Sequence, residues 1–238
     1  MCIIIMKPAG ATLDAETVAR CAANNPDGFG VAFPTSKGTR VQKTMKAETF
    51  LNWAMDERRI TVPMLLHCRI ATSGVVNTKT CHPFKVANAQ PHVKVKQRDT
   101  ATYYTTHAPV MAHNGILRAF EPSKHSIVSD SIIFCEDWLA PLAELTNLHS
   151  DAAEYLIAPV IDGSRLAILT DDGEWSLHGE GWIEDNDIFY SNSGYLPRTN
   201  RYGYSYGYGS DWWKDWDEWD YYTPTAKTNE TADVIRID

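Results

Sequence analysis

The chain begins MCIIIM (residues 1–6): an initiator methionine, a cysteine and three consecutive isoleucines. β-Branched residues without polar alternation predict a strand covered on both faces. Cys2 therefore stands at the start of a buried strand, where its side chain is held still. If Met1 is removed, Cys2 unites a thiol with an α-amine of ordinary pKa about 8, a nucleophile and a base in one residue. Such an amine can take the thiol proton and later return it to a leaving group. Alone, MCIII favours a small buried apolar cysteine, so the rest of the chain must decide.

The 238 residues are 44% hydrophobic and 22% charged, enough for one substantial core. No apolar run reaches the ~20 residues of a membrane span, and MCIIIM is too short for a signal peptide. A cytoplasmic protein without a membrane partner is expected. Five cysteines, Cys2, Cys21, Cys68, Cys81 and Cys135, are odd in number and scattered, which argues against a disulfide framework. The net charge of −8 argues against nucleic acid as a partner.

Outward from MCIIIM, helical spacing runs through residues 13–25 and stops at Pro26, where PDGFG supplies a turn and GVAFP a second strand. TRVQKTM alternates as a strand, and AETFLNWAMDERR has the pattern of an amphipathic helix. PMLLHCRIA (63–71) predicts a buried strand. The polar, basic residues 85–107 read as an inserted hairpin before APVMAHNG, another strand. SDSIIFCEDWLAPLAEL opens with capping residues and continues as helix. SRLAILTDDGEWSLHG reads as a hairpin about Asp172-Gly173.

Composition changes near residue 200, so the chain divides into a domain of residues 1–200 and a tail of residues 201–238. YGYSYGYGSDWWKDWDEWDYY (202–222) has ten Tyr and Trp residues and no Leu, Ile or Val. It cannot build a core of its own. It suits an arm docked on its own domain or on a second subunit, so a homo-oligomer is one expectation.

Five further segments bear on Cys2: NNPDGFG (24–30), HCRIATSG (67–74), CHPF (81–84), AHNG (112–115) and SDS (129–131). In this order, behind a cysteine at position 2, the set resembles the class II glutamine amidotransferases, the N-terminal-nucleophile family. The looser motifs and short chain are most similar to its small stand-alone members, including those carried by phages. The resemblance implies an α+β fold, a four-layer α/β/β/α sandwich of the N-terminal-nucleophile hydrolase type. It implies that Cys2 attacks the side-chain amide of glutamine and forms a thioester, without a cofactor or metal. By the same resemblance, Asn114 and Gly115 form the oxyanion hole, Arg69 clamps the substrate α-carboxylate and Asp130 holds its α-ammonium. Thr72 and His82 match positions that line the substrate pocket.

The sequence departs from the family where an arginine usually precedes Pro26-Asp27-Gly28, and where Thr80 and Ser131 replace the more usual Asn and Thr. Residues after 132 hold no nucleotide or sugar-phosphate motif. Released ammonia would therefore pass to a separate acceptor synthase, or the reaction would end at hydrolysis. Two other readings stay open. One is an inactive binding module that uses its aromatic tail. The other is a metal site of His67, Cys68, Cys81 and His82, although adjacent His-Cys pairs lack the gaps of common zinc sites.

Overall fold

Eleven strands make two antiparallel sheets among residues 2–71, 75–90, 101–123 and 128–197, the part of the chain that the computed structural model describes. The isoleucine run is strand β1 (Ile3–Lys7), buried throughout. It extends one residue past the expected strand because Lys7 finds polar partners. Its Nζ donates to the carbonyls of Pro8, Arg59, Ile60 and Val62 at 2.8–3.3 Å.

The first sheet adds β2 (Phe29–Thr35), β3 (Gly38–Thr44), β4 (Met64–Cys68), β6 (Ala101–Thr106), β10 (Ile183–Asp185) and β11 (Ile188–Tyr190), in the order β10-β11-β1-β4-β2-β3-β6. The second comprises β5 (Phe84–Lys85), β7 (Val110–Asn114), β8 (Arg165–Leu169) and β9 (Trp175–His178), in the order β5-β7-β8-β9. The chain is thus mixed α+β. The β8–β9 hairpin forms about Asp172-Gly173 as expected.

The two described ends of the hairpin expected over residues 85–107 do not pair with each other, and residues 91–100 lie outside the described residues. The ends lie in different sheets: β5 pairs with β7, whereas β6 pairs with β3 along six registered positions from Thr39↔Thr106 to Thr44↔Ala101. The alternation of ATYYTT matches TRVQKT, so Lys85 and Ala101 belong to different sheets.

The faces of the strands sort by period two. Ile4, Met6, Ala32, Val41, Leu65 and Tyr104 of the first sheet pack against Val110, Ala112, Ala167 and Leu169 of the second. Met111, Leu166 and Ile168 point the other way, into a cluster with Ile132, Phe134, Leu139, Leu142 and Ile157. Those last residues come from α3 (Asp130–Phe134), α4 (Ala140–Leu145) and α5 (Asp151–Ile157) and the segment joining α3 to α4. The expected single helix over 129–145 widens to a π-turn at Cys135–Leu139. Pro141 has no N–H to return to the preceding turn, and a widened turn accommodates the loss. The first sheet's opposite face meets α1 (Ala15–Asn24) and α2 (Ala47–Ala54), where Phe29 stacks on Phe50 at 5.0 Å. Asp14 caps α1 by accepting from Thr17 N at 2.7 Å.

Among the described residues no helix is long and apolar enough to cross a membrane. The expected tail, residues 201–238, lies outside the described residues, as does Thr72.

Candidate active site

Antiparallel pairing brings the start of β1 to the ends of β4 and β11. The register Ile3↔Cys68 sets Cys2 beside Arg69 and Ile70, and Ser191 bonds to Ile4 across the other edge. The Cys2 thiol sits between both polar groups of the Ile70 main chain: Ile70 N–H donates to Sγ at 3.4 Å, and Sγ lies 3.4 Å from Ile70 O. Burial pushes the thiol pKa up. The Ile70 hydrogen bond and the Arg69 charge pull it back in part. The net direction is upward, so the thiol needs a base before it can attack.

Asn114, the last residue of β7, reaches this edge from the second sheet. Its Nδ2 donates to Ser191 Oγ at 2.8 Å, and the same oxygen accepts from Ile4 N at 2.9 Å. Ser191 is fully buried, and its N–H returns a bond to Ile4 O at 3.0 Å. Asn192 Nδ2 donates to Cys2 O at 2.7 Å, and its Oδ1 accepts from Gly194 N. The Asn114 amide is therefore fixed with its NH2 toward Ser191, and one of its two N–H bonds is used there.

The next residue, Gly115, has φ +150°, and a Cβ there would overlap Ser164 Oγ. Only glycine fits without displacing Ser164. Asp130 holds the loop that follows: Oδ2 accepts from Leu117 N at 2.9 Å, and Oδ1 accepts from Ser131 N at 2.7 Å. Arg69 is buried, and its Nη1 donates to Thr80 Oγ1 at 2.8 Å and to Val75 O at 3.1 Å. Asp27, from PDGFG, binds the same strand end. Its carboxylate accepts from Ala71 N at 2.8 Å, and its N–H donates to Arg69 O at 2.9 Å.

His82 is buried against His67 and Phe84, each with ring centroids 4.4 Å away. Neither ring nitrogen of His82 or His67 has a hydrogen-bond partner among the described residues. Burial, reinforced by nearby Arg69, His113 and Lys43, pulls the His67 pKa down to about 3 and holds that of His82 well below its ordinary value. Both rings are neutral packing groups at pH 7. Cys68, by contrast, is buried on the other side of its strand, where its electrostatic neighbours are Cys21 and Cys2. Among the described residues no group of three or more His, Cys, Asp or Glu side chains is placed to hold a metal ion.

Cys2, Arg69 and Asn114 thus share one edge, with Gly115 beside Asn114 and Asp130 tied to the loop beyond it. His82 lies deeper in the interior. Ser191 and Asn192 are the functional candidates that the sequence reading missed. Their signal was Asn186-Asp187 between IED and IFY, a two-residue turn. Both residues have positive φ, 52° and 61°, as tight hairpins require.

No protein-family model matches the sequence, nor does any curated protein. What the site can do is therefore read from its own chemistry. It combines a half-buried thiol, a fixed carboxamide donor, a glycine N–H and a buried guanidinium at the neighbouring ends of β1, β4 and β7.

Proposed function

We propose that the chain is an N-terminal-nucleophile amidohydrolase of the class II glutamine amidotransferase type. It would hydrolyse the side-chain amide of glutamine or a close analogue. Removal of Met1 would expose the Cys2 amine, which takes the thiol proton directly or through water. The thiolate then attacks the amide carbon. The second N–H of Asn114 Nδ2 and the Gly115 N–H receive the oxyanion. Collapse of the intermediate expels ammonia, which carries away the proton, and water hydrolyses the thioester. Arg69 would clamp the α-carboxylate by charge-assisted bonds. The carboxylate of Asp130 retains acceptor capacity beyond its main-chain bonds for an α-ammonium.

The observation that carries this reading is that the thiol of Cys2 rests on the Ile70 main chain at the end of β4, while Ser191 ties Asn114 to Ile4, two residues further along the same strand. The stacking order, with α1 and α2, the seven-stranded sheet, the four-stranded sheet and then α3–α5, supports a four-layer α/β/β/α sandwich of this type. Ammonia would leave for a separate acceptor protein or for solution.

The test is ammonia release from a panel of amides, with intact mass to check loss of Met1 and with 6-diazo-5-oxo-norleucine as a glutamine-like label. Release from glutamine that vanishes in Cys2→Ala, together with labelling at Cys2, is expected. Labelling at Cys68 or Cys81 with Cys2 untouched would sink the proposal.

A further inference from the structure

A second constellation, sharing no residue with the Cys2 edge, lies on the helix-covered side of the four-stranded sheet. Ser176 and His178 are two apart on β9, so they face the same way. Their registered partners, Ile168 and Leu166, belong to the core shared with α3–α5. Ser150 caps α5 by accepting from Ala153 N, which sets the start of that helix and brings Glu154 over β9. Ser176 Oγ lies 2.9 Å from His178 Nε2, and His178 Nδ1 is hydrogen-bonded to the Glu154 carboxylate. His149 Nδ1 lies 2.8 Å from Ser176 Oγ on its other side.

A neutral His178 satisfies these contacts in one way only. Its Nδ1–H donates to Glu154, which leaves Nε2 bare to accept the Ser176 O–H. The serine oxygen then accepts from His149 Nδ1–H, which fixes the direction of its O–H toward His178. His149 Nε2 is buried with no partner among the described residues. A hydroxyl bonded to an imidazole that a carboxylate orients is the arrangement of an activated nucleophile. His178 is only 3% exposed and so held in place, whereas Ser176 is half-buried and reachable.

We propose that Ser176 is a second nucleophile, with His178 as its general base and Glu154 as the residue that positions His178, and that it accepts uncharged carboxylic esters. Ser176 Oγ would attack the ester carbonyl as its proton passes to His178 Nε2. The imidazolium would then protonate the departing alkoxide, leaving an acyl-serine and an alcohol. Water would repeat the sequence and release the acid. Glu154, Asp172 and Glu174 surround the chain of groups, the last two acting electrostatically on His149. An anionic substrate would meet repulsion there. Esters ask least of a half-buried serine because an alkoxide leaves more readily than an amine.

The test uses the full chain carrying Cys2→Ala, which removes the first thiol. It is treated with a fluorophosphonate and, separately, with p-nitrophenyl acetate. A fluorophosphonate adduct on the Ser176 peptide is expected, with fluoride lost, and the adduct should be absent in Ser176→Ala. His178→Gln should slow labelling by on the order of a hundredfold, the low end of what a general base contributes. Glu154→Gln, at a side chain 48% exposed, leaves the fold intact and tests positioning. It should slow labelling and shift the midpoint of its pH profile. Absence of an adduct at Ser176 in folded protein would overturn the proposal. So would labelling at the rate of other surface serines that ignores both His178→Gln and Glu154→Gln.

Discussion

Replacing Ser191 by alanine removes one oxygen and leaves two buried donors without their acceptor. Ile4 N and Asn114 Nδ2 both end on Ser191 Oγ, at 2.9 and 2.8 Å, and all three residues are buried. A buried donor stripped of its partner costs about 1–3 kcal/mol. Two such donors, partly relieved by relaxation, put the loss at ~2–4 kcal/mol. Native stabilities are about 5–15 kcal/mol, so the variant should still fold at 25 °C. For a domain of this size each kcal/mol moves Tm by about 2–4 °C, so a fall of roughly 4–16 °C is expected by thermal melting. Activity should fall further than stability explains. Without Ser191 the Asn114 carboxamide can rotate, and under the proposed mechanism part of the population would lose its oxyanion donor. Ammonia release should show a lower kcat with KM little changed. A double-mutant cycle separates the two effects. Because Asn114 and Ser191 share a bond, Ser191→Ala and Asn114→Ala together should cost less than the sum of the single variants, by 0.5 kcal/mol or more. An unchanged Tm, or strict additivity of the two in kcat/KM, would refute the reasoning.

The remaining expectations concern the same edge and the interior behind it. Arg69→Ala should raise KM far more than it lowers kcat, because a carboxylate is held alike in ground and transition states. Asn114→Ala should instead lower kcat by about 10²–10³, and matching kinetic patterns for the two would contradict their roles. Acid should destabilise the fold. His67 and His113 have native pKa values of about 3 and 4, below their ordinary 6.5, chiefly through burial, and His82 shifts the same way. Between about pH 6.5 and pH 3 the unfolded chain therefore binds more protons. This stability is complete above pH 6.5 and drains away as pH falls, so Tm should drop between pH 7.5 and 4.5, and less steeply in His67→Phe. Gly30→Ala should destabilise by ~1–3 kcal/mol or more in chemical denaturation, because the added methyl would overlap the His82 carbonyl oxygen.

Local elements were legible wherever one pattern dominated a segment. The unbroken Ile3–Ile5 run, Asp14 ahead of a 3.6-period stretch and Asp172-Gly173 between alternating runs each name an element from within. The reading failed where structure depends on a distant partner. ATYYTT carries a strand's alternation, but nothing within it says that the partner is TRVQKT in one sheet and not FK in the other. Pro141 was visible in the sequence, yet the π-turn that absorbs it depends on the packing of Phe134 and Leu139 beneath it.

The site divides in the same way. Arg69, Asn114, Gly115 and Asp130 stood out because short motifs surround them, and a motif records a local backbone demand as much as a chemical one. Gly115 is read from HNG, and the backbone demand there is the close approach of Ser164, which leaves no room for a Cβ. Ser191 has no such neighbourhood. Serine followed by asparagine after a short strand is ordinary loop sequence, and its meaning comes only when β11 pairs with β1. That pairing is antiparallel, so the end of the last described strand must lie beside the start of the first. The hydroxyl that fixes the carboxamide of Asn114 and the amide that holds the Cys2 carbonyl therefore come from residues 191 and 192, almost the whole domain away in sequence. Cys2 stands at the head of a central strand, so its support is necessarily distant in sequence. Because β1 lies between β4 and β11, the groups that hold Cys2 come from Ile70 on one side and Asn192 on the other.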